Sequence, residues 1–157
     1  MEKLEFRFHD GGREAAGFKG KTGDCVARSI AIATGVPYTE IYDALNELAK
    51  SERIGKRKKK ISSARTGVYR QTSRKYIQSL GWKWVPTMTI GSGCKVHLRA
   101  DELPRRTLIV SVSKHLTTVI NGVIHDTHDC SRNGKRCVYG YWVNPNEVAA
   151  ELFPLAA

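Results

Sequence analysis

"HLTTVINGVIHDTHD", residues 115–129, decides how the second half of this chain folds. Asn121-Gly122 separates two short apolar-rich runs, and a type I′ turn needs positive φ at both central positions, which asparagine and glycine adopt most readily. The stretch therefore reads as a hairpin with a two-residue loop. Its register follows: Ile120 opposes Val123, Thr118 opposes His125, Thr117 opposes Asp126, and His115 opposes His128. His115 and Asp126 then lie diagonally on one face, where a carboxylate can accept a hydrogen bond from one imidazole nitrogen and leave the other for a reacting group.

Working outward, TLIVSVS (107–113) reads as the preceding strand and VYGYWV (138–143) as a following one, so the chain from Trp82 onward is strand-rich. The first half is helical. TGDCVARSIAIATG (22–35) predicts a helix over 25–34, with Asp24 as an N-cap turned toward the helix N–H groups and Gly35 as its stop. Apolar side chains surround this helix, with Arg28 and Ser29 marking its wetter side. A second helix follows Thr39, carries Ile41, Tyr42, Leu45 and Leu48, and ends near Lys50; a third is predicted over 67–80, before Gly81. Helices first and an antiparallel sheet second give an α+β class.

A length of 157 residues suits one domain, 1–157. No apolar run approaches the roughly 20 residues of a membrane helix, and MEKLEFRFHD at the N-terminus lacks a signal peptide's features, so a cytoplasmic protein without membrane contact is expected. The net charge of +11 is concentrated: residues 50–75 hold eleven Lys or Arg against the single Glu52. This predicts a solvated, mobile basic loop over 50–66, with Lys56, Arg57, Lys58, Lys59 and Lys60 as anion-binding candidates for nucleic acid or an acidic protein.

Cys25 opens the first helix, where unpaired N–H groups and the helix dipole favour a thiolate. With His115 and Asp126 it completes the set needed for nucleophilic catalysis: a thiol, a base, and a carboxylate that orients the base. GDC opening an apolar helix, followed by His, a short strand, a turn and Asp, resembles the papain-like cysteine peptidase fold. DCVARSIAIATG, SKHLTTVINGVIHDT and CVYGYW together are similar to bacterial and phage relatives of the bacteriocin-leader-processing peptidases. The resemblance spans roughly residues 20–145 and implies a thiol hydrolase with a peptide or protein substrate and no cofactor. It makes Cys25 the nucleophile, His115 the base and acid, and Asp126 the orienting group. It also implies a tryptophan, here Trp142, shielding the imidazole from water. The chain departs from the family at the oxyanion site. Phe18-Lys19-Gly20-Lys21 stands where those enzymes carry a glutamine, leaving the Cys25 backbone N–H with Lys19 or Lys21 as candidate donors. A catalytically inactive binding module on the same fold is the alternative.

His125, His128, Cys130 and Cys137 are zinc-ligand types, but His125 and His128 point to opposite faces of the predicted hairpin, so no metal is expected. Cys130 and Cys137 flank a turn closely enough to pair under oxidation and are expected as thiols, while Cys94 has no companion. Trp82 or Trp84, whichever faces inward, is expected in the core.

Overall fold

A computed structural model describes residues 2–20 and 22–147. The chain runs β1 (Glu5–Phe8), α1 (Cys25–Thr34), α2 (Tyr38–Ala49), α3 (Arg70–Ser79), β2 (Lys83–Pro86), β3 (Thr107–Val112), β4 (His115–Ile120), β5 (Val123–Asp126) and β6 (Gly140–Val143). It is an α+β structure: three helices pack on a six-stranded mixed sheet of order β1-β5-β4-β3-β6-β2. The hairpin has the expected register, with Thr118 opposite His125 and Ile120 opposite Val123. Asn121 (φ 48°) and Gly122 (φ 82°) take the left-handed conformations that a type I′ turn requires.

The sheet is not wholly antiparallel. The charged N-terminal stretch forms edge strand β1, which runs parallel to β5. Helix α3 begins at Arg70 rather than at 67, because Ser63 and Gly67 form an isolated bridge and Tyr69 is extended, its N–H donating to Ser62 Oγ.

Alternation along β3 builds two cores. Ile109 faces the helices and packs with Ile30, Ile41, Leu45, Ile77 and Trp142, whereas Leu108 and Val110 face away and pack with Leu98, Val119, Ile124 and Val138. Trp82 is buried, and Trp84 stacks across the strands on Trp142 with ring centroids 5.2 Å apart. On the far face Cys94 is disulfide-bonded to Cys137. Cys94 therefore has a companion, and Cys137 does not pair with Cys130, which is a free, buried thiol. The partner lies 43 residues away because the 94–97 segment runs beside the strand leading into β6, bridging His97 to Cys137. Among the described residues no helix is long and apolar enough to cross a membrane.

The basic segment folds back on its one acid. Glu52 accepts from the Ser62 backbone N–H (2.6 Å) and hydroxyl and from the Thr72 hydroxyl, and Asn46 Oδ1 accepts from Ala64 N–H (2.8 Å). Between these ties Lys56–Lys60 follow the surface beside Tyr69. The Lys58 ammonium sits 4.2 Å from the Tyr69 ring centre, and the Tyr69 hydroxyl donates to the Lys60 carbonyl (3.0 Å).

Candidate active site

Cys25 is the first residue of α1, His115 the first of β4 and Asp126 the last of β5, so all three come from element ends at one end of the sheet. His115 Nε2 lies 2.7 Å from Asp126 Oδ2, the diagonal contact that the hairpin register requires. Cys25 and His115 line the same cleft, of about 860 Å³, and the charge of His115 acts on the thiol.

The helix start is arranged differently from a capped one. The Asp24 side chain makes no capping hydrogen bond, and its carboxylate is fully buried and turned away. Oδ1 accepts from Arg28 Nη1 (2.5 Å), Thr22 Oγ1 (2.8 Å) and Arg13 Nη1 (3.2 Å), while Oδ2 accepts from the Tyr38 hydroxyl (2.7 Å). These charged and hydroxyl donors outcompete the neutral helix N–H groups. The first-turn N–H groups are thereby left without a side-chain acceptor from Asp24, beside the Cys25 thiol.

Arg28 is the residue that sequence reasoning misplaced. Rather than marking a wet side, it is 6% exposed, and neighbouring Ser29 is also buried. Its Nη2 donates to Asp126 Oδ1 at 3.1 Å, so one guanidinium spans the carboxylates of Asp24 and Asp126. Asp24 and Arg28 at i and i+4 were a visible ion pair; the second carboxylate, 98 positions onward, was not. The turn before α1 seals this group. A Cβ on Gly11 (φ 71°) would come within 2.8 Å of the Arg28 carbonyl, and one on Gly23 within 2.7 Å of the Thr66 carbonyl. Only glycine permits these approaches.

The electrostatics follow from these contacts. Burial opposes ionisation of Cys25, but the hydrogen bond and charge of His115, the Leu116 backbone and Arg28 outweigh it and hold the thiol below its usual pKa. Burial likewise opposes a charged His115. Hydrogen bonds to Asp126, Cys130 and Cys25, with the Asp126 charge, nonetheless raise it to about 11. Asp126 is held below the usual carboxylate range, against the effect of burial, by His115, Thr117 Oγ1 (2.7 Å) and the Thr127 N–H (2.6 Å). A carboxyl with a depressed folded pKa contributes stability above its ordinary value of 3.8 and loses it as the pH falls toward the folded value. His115 has the opposite sign, with stability full below its ordinary 6.5 and lost as pH rises through about 11. Urea unfolding midpoints are therefore expected to fall as pH drops below about 4, and Asp126→Asn is expected to flatten part of that decline. An equally steep acid decline in Asp126→Asn would deny this role.

His115, Asp126 and Cys130 offer ligand-type atoms within 4.8 Å of one another. A cation there would compete with the donors already on Asp126, including the Arg28 guanidinium. Of the other zinc-type residues, Cys137 is bonded to Cys94 and His125 packs against His9. Trp142 is buried against Trp84 and beneath Arg74, while the ring beside His115 is that of exposed His128, 5.2 Å away. Lys19 is exposed, with its carbonyl taken by Arg65, and Lys21 lies outside the described residues. Arg13 belongs to the cleft wall, bonded to Thr22 and Asp24. Comparison with protein-family models, with curated proteins and with solved structures found no match.

Proposed function

We propose that this chain is a thiol hydrolase of papain-like arrangement, cleaving a peptide, isopeptide or related amide bond through an acyl-Cys25 intermediate. The observation that carries the reading is that Cys25 and His115 line one cleft, with His115 bonded to Asp126 and that carboxylate fixed from behind by Arg28. An inert core cysteine would have no use for an oriented, charged imidazole in an open cleft.

In the reaction, His115 holds the proton taken from Cys25, and the thiolate adds to the substrate carbonyl, forming the C–S bond and an oxyanion. The Cys25 backbone N–H at the helix start receives that charge. Collapse of the oxyanion breaks the C–N bond, and His115 gives its proton to the departing amine. Water, giving a proton to His115, then attacks the thioester, breaking the C–S bond, releasing the acid and restoring the Cys25 thiolate beside a protonated His115. Asp126 keeps the ring oriented and stays ionised throughout.

A peptidyl aldehyde bearing a photoreactive tag, which forms a thiohemiacetal with an activated thiol, is expected to label the wild-type protein. It should leave folded Cys25→Ala unlabelled. Retained labelling at Cys130 in that variant, or no labelling of the wild type, would instead favour the inactive binding module.

A further inference from the structure

The cleft around Cys25 is charged in one sense. Among the described residues lining it, the single carboxylate is Asp24, which is fully buried and committed to Arg13, Arg28, Thr22 and Tyr38. Two exposed cations, Arg70 and Lys114, line the same cleft, and neither forms an ion pair among the described residues. Lys114 immediately precedes His115 in the two-residue turn between β3 and β4. It occupies a left-handed conformation (φ 56°) there, where glycine or asparagine would be relaxed, so a cation stands at the mouth of the cleft.

The positive surface does not stop at the cleft. Tyr69 belongs to its wall and carries Lys58 on its ring. Beyond it lies a second hollow of about 380 Å³, lined in part by Arg53, Lys58 and Lys75. The acid there, Glu52, is occupied by Ser62 and Thr72. Cations thus line both hollows, joined at Tyr69 and Lys58, with Glu52 the one carboxylate in the lining of the second.

We infer that the substrate is an acidic peptide, with carboxylates beside the bond attacked by Cys25 and further along the chain at the second hollow. This rests on the thiol-hydrolase reading and names its substrate class. Nucleic acid would satisfy the charge but not the site: its backbone offers phosphorus, whereas the thiolate beside His115 needs an acyl carbon. The basic segment then steers a substrate rather than serving a separate purpose.

Double-headed epoxysuccinyl peptides, which alkylate a cleft thiol and extend along both sides of it, test this when their arms carry glutamates, glutamines or lysines. The glutamate probe is expected to alkylate Cys25 about tenfold faster than the lysine probe at low ionic strength, the gap closing as salt is added. The Arg70→Glu/Lys114→Glu variant should reverse that order, with each rate taken relative to the glutamine probe. Equal rates for the three probes, with Cys25 still alkylated, would overturn the acidic-peptide inference and leave the hydrolase reading standing. Failure of all three, together with ordinary iodoacetamide reactivity of Cys25, would remove both. Protection of Cys25 by a random-sequence DNA duplex at concentrations where a polyglutamate peptide gives none would assign the surface to nucleic acid and overturn the inference.

Discussion

His115→Ala should strip Cys25 of its early ionisation while leaving the protein folded. In the wild type the His115 hydrogen bond and positive charge overcome the burial that would otherwise keep the thiol protonated. The ring itself stays charged up to about 11 and so keeps favouring the thiolate beside it. Without the ring, burial still disfavours the thiolate, and only the Leu116 backbone and Arg28 still oppose it. Iodoacetamide alkylation of Cys25 at mildly acidic pH should therefore fall in the variant, because its thiol loses the partner that lowers its pKa. The two proteins should converge as pH rises and the variant thiol ionises unaided. If the chain is the thiol hydrolase proposed above, turnover of an amide substrate should fall further, about 10⁴-fold, because that reading makes His115 the group that protonates the leaving amine. Mass-spectrometric alkylation rates across pH measure the first effect. Superimposable profiles for the two proteins would mean that His115 does not activate the thiol.

The parts of this site written into neighbouring residues were legible beforehand. Asn121-Gly122 dictates its own turn, and the turn dictates which side chains share a face, so the meeting of His115 with Asp126 follows from counting. Helix α1 runs from Cys25 to Thr34 as its apolar periodicity and Gly35 predicted, and Gly35 takes the left-handed stop conformation (φ 76°). Features that depend on distant partners could not be read this way. Leu4, Phe6 and Phe8 alternate as a strand would, yet nothing local says that this strand lies parallel to β5. The Cys94–Cys137 bond depends on the 94–97 segment lying beside the approach to β6. Asp24 has the sequence of an N-cap and the conduct of a buried counter-ion, because Arg13, Arg28 and Tyr38 all reach it. Local propensity gave the helix start correctly and its side-chain chemistry wrongly, since a buried cation binds a carboxylate more strongly than neutral N–H groups do.

Removing that cation should have the largest effect on stability of any single change near the site. Arg28→Met keeps much of the side-chain length but leaves two buried carboxylates facing each other's field without the guanidinium between them. Breaking a buried ion pair from one side costs about 3–5 kcal/mol, a large share of the roughly 5–15 kcal/mol that holds a domain folded. Urea unfolding should register the loss directly, and a loss under about 1 kcal/mol would mean that the remaining donors already satisfy Asp24 and Asp126. Arg28→Lys separates charge from geometry. A single ammonium cannot reproduce the fork that donates Nη1 to Asp24 and Nη2 to Asp126, so lysine should recover only part of the stability. Restoring a hydrogen-bonding neutral partner gives the complementary check: adding Asp126→Asn to Arg28→Met removes one uncompensated charge, and the double variant should be less unstable than the two single losses summed. Simple additivity would show Arg28 and Asp126 to be energetically independent despite their 3.1 Å contact. Coupling would make the guanidinium the piece that ties the start of α1, and with it Cys25, to the carboxylate that orients His115.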